Sequence, residues 1–582
     1  MYFWRWAARK VFVDFPGQAS GGGSGIVAYI TVAGFLSGPG FERMRQDLRQ
    51  RCHEIWVIDC SPEGHQPEAS TRIFQAVQQP VCIVVAARWP QQQRQQQQPD
   101  GLARVRWMAL PKGHRAAKFE ALSTLHLDGT GWVDCGKGSR DPYMPASVGA
   151  WAEFPRLEEL FEYGGSGVQP MRVWVIAPDA DSLHRRWQAL LDAPAERKQE
   201  LFHPTLRGGV PADRHIDSVL RKGLAGHPGS LSPLAQEAGP CLQPTRYAFR
   251  SFDRQLIVPD VRVITQPNGL LWDSLSIEQI YLTALHDRHP GNGPALTVAP
   301  SPPDKHHFKG SFGGKVFPLW FDASRSRSNV RLPLLRVFGE RLGRAIAADE
   351  VMAYLAGIAG HPGFVRRFDN DLTTPGLRVP LTASAEYFEE AVHLGRRIIW
   401  LHSFGERCSD AGAGREAGPP RLPSGKRPQV PKEGAIPTTT EGMPDSIQYD
   451  SARQRLNVGS GYIESVPAAV WQYQVGGKQV LVQWFNSRKR HREKPQIGDR
   501  RKPSPLGDIQ PDHWLAEYTT ELLNVINVLG LLVDLEPQAA DLLDRICRGP
   551  LVSDADLKAA GAYFPAGHAP ASTPPQQTLA GF

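Results

Sequence analysis

Three apolar, β-branched runs alternate with segments of helical spacing within the first ninety residues, and this order limits the fold more than any other feature. The runs are 26–31 (IVAYIT), 54–59 (EIWVID) and 80–87 (PVCIVVAA); an aromatic amphipathic start and the polar segment 41–51 supply the helices. Such alternation predicts an α/β unit with a mainly parallel, helix-covered sheet. Three strands make that sheet a small one.

Beyond it the pattern loosens. The tract 91–98 (QQQRQQQQ) cannot pack a core and reads as a surface loop. Strands such as 172–177 and helices such as 182–191 follow, up to a Gly/Pro/Ser-rich passage at 222–240 that marks a domain boundary. Helical spacing returns at 349–359 and 385–399, then a proline- and glycine-rich insertion, 409–443, reads as disordered or extended. Two alternating runs, 470–475 and 478–485, flank Gly476-Gly477 and predict a hairpin, because glycine supplies the positive φ of a tight turn. Helices at 517–535 and 539–547 follow, and the tail from 565 reads as disordered. The chain of 582 residues is long enough for about three units. The expected fold class is α/β followed by α+β, divided into 1–100, 101–240, 241–564 and the tail 565–582.

The net charge of +7 leans toward a polyanionic partner. Seven scattered cysteines, none in a Cys-x-x-Cys pair, argue against a disulfide framework or structural zinc and for a reducing cytoplasm. No apolar run approaches the roughly 18 residues of a membrane span. The start, MYFWRWAARK, lacks the basic-then-apolar order of a signal peptide.

Several segments imitate catalytic motifs. The loop Asp14–Gly25 follows the strand-like Val11-Phe12-Val13, but the glycines precede a strand-forming run where a cofactor loop would open a helix. Asp179, Glu196 and Lys198 have nuclease-like order, yet 195–201 is helical in composition, which separates side chains that would have to share a metal. Adjacent histidines in 304–309 (DKHHFK) do not share a helix face, so hydrogen-bonding or phosphate-facing roles are expected there and no metal. Gly136-Lys137-Gly138-Ser139 lacks the upstream glycine of a Walker loop, and no Gly-x-Ser-x-Gly elbow occurs.

One basic surface stands out. Arg488, Lys489, Arg490 and Arg492, with His491, directly follow the 470–485 hairpin, and Arg500, Arg501 and Lys502 form a second cluster. Neighbouring cations repel unless water or a polyanion surrounds them, and Trp484-Phe485 just before them adds aromatic surface. These seven cations are therefore expected to lie against a DNA phosphate backbone.

The order of segments resembles a known family. YFWRWAARKVF, GIVAYITVAGFLSGPGFERMRQDLR, EIWVIDCSPEGHQP and TRIFQAVQQPVCIVVAAR are similar to the second half of the catalytic domain of adenine-N6 DNA methyltransferases of type ISP restriction–modification enzymes. FRSFDRQ, SFGGKVFPLW, TPGLRVPLTA, GRRIIWLHSFGER and PSPLGDI resemble the C-terminal specificity domain of the same enzymes. The resemblance covers nearly everything but the glutamine tract, the insertion and the tail. It implies a partial methyltransferase-type (Rossmann-like) sheet, a target-recognition domain, double-stranded DNA as partner and S-adenosylmethionine as cofactor of the complete enzyme.

It also implies that the loop before GIVAYIT is a connector. In the family the acidic Gly-x-Gly loop and the Asn-Pro-Pro-Tyr/Phe motif precede the YFWRW helix, and no Asn-Pro-Pro occurs in these residues. This chain alone is expected to bind no cofactor. Phe74 matches the aromatic residue that stacks on an extruded adenine, a contact that offsets lost base stacking; a core phenylalanine is the alternative. Three roles remain open from sequence: the C-terminal part of an adenine methyltransferase, a stand-alone DNA-binding specificity module, or one half of a split enzyme whose other chain supplies the first strands.

Overall fold

The computed structural model describes residues 2–13, 23–37, 41–62, 71–74, 77, 79–89, 101–145, 150–203, 206–207, 210–211, 214–286, 288–310, 313–374, 376–490 and 504–562. They form two compact units: Met1–Ala152 with Asp287–His289 and Asp369–Gly376, and a larger one from Glu153 onward. Residues 101–240 thus do not make a body of their own. Those up to 152 belong to one unit and the rest to the other.

The first unit comprises α1 (Tyr2–Phe12), β1 (Gly25–Val32), α2 (Glu42–Arg51), β2 (Glu54–Asp59), β3 (Val81–Arg88), β4 (Arg104–Ala109), α3 (Arg115–Ser123) and β5 (Val133–Asp134). The three expected strands form where the β-branched runs lie, but the sheet is not mainly parallel. Its order is β1-β3-β2-β4-β5, β3 runs antiparallel to both neighbours, and only β2 and β4 pair in parallel. Helix α2 carries the chain from β1 to β2 in the same direction, and β3 then inserts between them in reverse.

Strand periodicity divides the sheet into two faces. Val27, Ile55, Val57 and Val84 pack under Trp4, Phe12, Phe35 and Leu48, with Trp4 stacked on Phe35 at 5.5 Å. On the other face Ile58, Ile73, Val81 and Leu110 lie beneath Ala121 and Leu122 of α3. That cover does not reach β1. Ile26 and Ile30 are 59% and 51% exposed there, and β1 pairs with no strand but β3 among the described residues.

In the second unit the hairpin Thr245–Arg250/Asp253–Ile257 pairs with Ile176–Ala177, and a four-stranded antiparallel sheet runs in the order Leu296–Ala299, Tyr281–Ala284, Lys315–Pro318, Gly165–Ser166. Pairing of 176–177 with 256–257 crosses residue 240, so the Gly/Pro/Ser-rich passage does not separate one core from another. The expected strand 172–177 shrinks to Ile176–Ala177 because Arg172 is buried, its guanidinium bonded to Phe202 O at 3.2 Å and Thr265 Oγ1 at 2.9 Å.

Helices Ala348–Ala359 and Ala385–His402 cross closely. Gly395 permits this, since a Cβ there would lie 1.7 Å from Ala353 O. Where two helices were expected, Ala516–Arg548 is a single helix that runs through Pro537. By length and composition it could cross a membrane, unlike any run noticed in the sequence, but Leu522, Val525, Ile526, Val528 and Leu529 are buried in the core.

The insertion 409–443 is extended with short 3₁₀ turns, and it is ordered. Leu422 is buried, its N–H donates to Asn527 Oδ1 at 2.8 Å, and Arg415 pairs with Asp410 at 3.1 Å. Low hydrophobicity did not prevent order because the long helix, neighbouring segments and the insertion itself supply partners.

Candidate nucleic-acid interface

Gly476 and Gly477 adopt φ of 64° and 74°, as the turn requires, but the ladder is only two residues deep, Gln474–Val475 against Lys478–Gln479. Val480–Asn486 is a helix instead of a strand. Val480, Leu481, Trp484 and Phe485 turn inward on it, and Trp484 meets Trp514 edge-on at 6.1 Å. Four apolar groups on one helical face bury more than an alternating strand would.

This helix decides the fate of the basic run. Arg488 does not face solvent: Nη1 lies 2.7 Å from Asp253 Oδ1, and both side chains are 1% exposed. The guanidinium also donates to Trp484 O at 3.1 Å and Arg254 O at 3.3 Å and lies 4.0 Å over the Trp484 ring. A guanidinium so enclosed cannot reach a phosphate, so its expected place on the DNA-binding surface is corrected. Lys489 is half-buried. Arg490 is exposed and donates to Thr440 O at 2.9 Å and to Glu441 O. Arg492, Arg500, Arg501 and Lys502 lie outside the described residues.

Arg490 stands at the rim of an open cleft of about 790 Å³, lined also by Arg185, Arg186, Glu441, Gly507 and Asp512. Arg186 is buried and donates to Trp174 O and Ile176 O at 3.3 and 3.0 Å, and desolvation lowers its pKa. Arg185 pairs with Asp512 at 3.2 Å in solvent, a contact of little energetic weight. Among the described residues Arg490 bonds to neutral carbonyls and to no carboxylate.

Phe74 lies in a bend, 38% exposed, beside the buried Ile73. The nuclease-like acids stay apart. Asp179 caps the helix Ala180–Leu191, accepting from Ser182 N at 2.7 Å and Tyr518 OH at 2.5 Å, while Glu196 and Lys198 sit on the helix Ala195–Phe202. Among the described residues no three metal-ligating side chains converge.

The segment 304–309, expected to hold hydrogen-bonding or phosphate-facing groups, is organised by its aspartate. Asp304 accepts from Tyr247 OH at 2.6 Å, Arg250 Nη1 at 2.8 Å and His306 N at 2.7 Å; Lys478 lies near Arg250, and the Lys309 stem lies beside Gly476. The sequence marks the segment by its adjacent histidines but not the partners Tyr247 and Arg250 that the fold brings to Asp304.

Comparison with known proteins then places the chain. Residues 159–525 match the type ISP C-terminal specificity domain, so the chain belongs to that family. Solved structures with the same fold include a type ISP restriction–modification enzyme, LlaBIII, bound to DNA (13% identity, TM-score 0.57, covering 94% of this chain and 35% of that one). A nuclease-deletion mutant of LlaGI with a DNA substrate mimic (11%, 0.55, 90% and 39%) and a DrdV–DNA complex (14%, 0.56, 90% and 50%) match similarly. This chain therefore spans half or less of the length of these three. No curated protein sequence matches it significantly.

Proposed function

We propose that this chain is the target-recognition portion of a type ISP-like restriction–modification enzyme and binds double-stranded DNA site-specifically. The observation that carries the reading is the specificity-domain match over 159–525, a span that holds the exposed Arg490. Its matched relatives are solved as DNA complexes. Phosphate contacts from such cations set affinity and register, and base-edge contacts set the sequence read.

We further propose that the first unit is the closing portion of an adenine-N6 methyltransferase sheet. A β1 edge with no strand beside it among the described residues, next to exposed Ile26, Ile30 and Val32, supports this, since a sheet edge and apolar face of that kind call for further strands and a covering element. These would come from a preceding segment or from a separate chain in a split enzyme. S-adenosylmethionine is read as a ligand of the complete enzyme, a reading supported by glycines 23 and 25 leading into the strand β1 where a cofactor loop would lead into a helix. Methyl transfer is thus assigned to the complete enzyme, in a reducing cytoplasm consistent with seven unpaired cysteines.

The test is selection from a pool of random duplexes by the purified chain, followed by affinity measurement. A preferred site should bind at least about 10³-fold tighter than random duplex. Equal affinity for all duplexes, or none, would overturn the specificity reading.

A further inference from the structure

Asparagine followed by glycine occurs twice in this chain, at Asn268-Gly269 and Asn292-Gly293, and the fold treats the two pairs differently. The pairing matters because an asparagine carboxamide is open to attack by the main-chain nitrogen of the next residue, which makes asparagine thermolabile. Glycine favours that attack, having no Cβ to obstruct it.

Asn268 is held. Its Nδ2 donates to Tyr163 OH at 2.9 Å and to Ser166 O, and its own carbonyl accepts from Leu271 N at 3.0 Å where Gly269 opens the helix Gly269–Asp273. Side chain and backbone are both fixed, so the carboxamide carbon cannot turn toward Gly269 N without breaking these bonds.

Asn292 is restrained at its backbone alone. It lies exposed in a bend, and its carboxamide makes no hydrogen bond among the described residues. Gly293 N–H likewise donates to no acceptor among them. The main-chain oxygen of Asn292 accepts from Gly477 N at 2.8 Å. Gly293 adopts φ of 113° and packs so tightly that a Cβ would lie 2.1 Å from Gln474 O. Packing thus demands glycine at 293 and sets it next to an unbonded carboxamide.

We propose that Asn292 is a site of spontaneous deamidation and that Asn268 is protected from it while the protein is folded. Gly293 N gives its proton to water or hydroxide and bonds to Asn292 Cγ; the amide C–N bond there breaks, and ammonia leaves behind a cyclic imide. Water then opens the imide at one of its two carbonyls, giving aspartate or isoaspartate. In sum one water is consumed and one ammonia released. Either product carries a negative charge on the turn that is bonded to Gly477. Isoaspartate also inserts a methylene into the main chain beside the Gly293–Gln474 contact and makes the carbonyl facing Gly477 N part of a carboxylate. The inference is independent of the DNA-binding reading.

The experiment incubates the full chain at mildly alkaline pH, folded or in concentrated urea, and follows both sites by peptide mass mapping and enzymatic methyl labelling of isoaspartate. In the folded chain Asn292 should convert at least about tenfold faster than Asn268, whose two side-chain hydrogen bonds must first break. In urea the two rates should converge. Asn292→Gln should remove the dominant label from the folded chain. Conversion of Asn292 no faster than that of Asn268 in the folded chain, or a label that persists in the glutamine variant, overturns the proposal.

Discussion

Replacing Arg488 by methionine separates a structural arginine from a DNA-contacting one. Arg488→Met keeps much of the stem that lies over Trp484 but removes the partner of Asp253, both groups being withdrawn from water. Gln255 Nε2 and Ser487 Oγ, at 2.7 and 2.8 Å, would still donate to the Asp253 carboxylate, though neither carries charge. Leaving a buried charge unpaired costs about 3–5 kcal/mol. With a denaturant dependence of about 3 kcal/mol per molar urea, the unfolding midpoint should fall by about 1–1.7 M. Tryptophan fluorescence is the natural probe, since Trp484 lies under the Arg488 guanidinium and meets Trp514 edge-on. Arg488→Met/Asp253→Leu should recover most of the loss, because exchanging a whole buried pair for apolar groups is often neutral. The salt slope of DNA binding should not move. A single variant of parental stability whose slope flattens by about 0.9 would refute the argument and return Arg488 to the phosphate backbone.

Other expectations follow from the same geometry. Arg490→Ala should flatten the salt slope by about 0.9 while leaving the melting temperature unchanged, as calorimetry and binding titrations will show. Phe74→Ala, at a site more than a third exposed, should change stability by no more than about 0.5 kcal/mol; in a complete methyltransferase it should lower turnover more than duplex affinity. A large loss of stability would instead make it a packing residue. Burial pushes the imidazoles of His307 and His361 down to about 4 and that of His402 down to about 3. Their stabilising contribution is therefore complete above about pH 6.5 and is lost as pH falls toward 4 and 3, by about 1.4 kcal/mol per pH unit for each. His402→Gln should make the acid limb of a melting-temperature profile shallower, and an unchanged limb would contradict a buried neutral ring. Finally, Ile26→Glu/Ile30→Glu should reduce self-association in light scattering without lowering the melting temperature; a loss of stability would mean that this face is already covered.

The elements that sequence determined are those whose signal is local. Strands β1, β2 and β3 form where β-branched residues cluster, and the left-handed Gly476-Gly477 turn forms because few other residues tolerate that backbone. Candidate contacts were legible to the same depth: the run 488–492 is visibly basic, and Arg490 lies on the surface as expected. Tertiary structure decided the rest. Whether β3 runs parallel or reversed depends on which strands it lies between. The helix Val480–Asn486 replaces a strand because Trp514 stands opposite Trp484, and the long helix passes through Pro537 despite the signal to stop. Arg488 is the clearest case. Nothing in its neighbours distinguishes it from Arg490, and its charge is buried only because Asp253, 235 positions away, is brought within 2.7 Å. A charge's solvation is set by what surrounds it in space, and local sequence does not encode a partner that the chain meets only after folding.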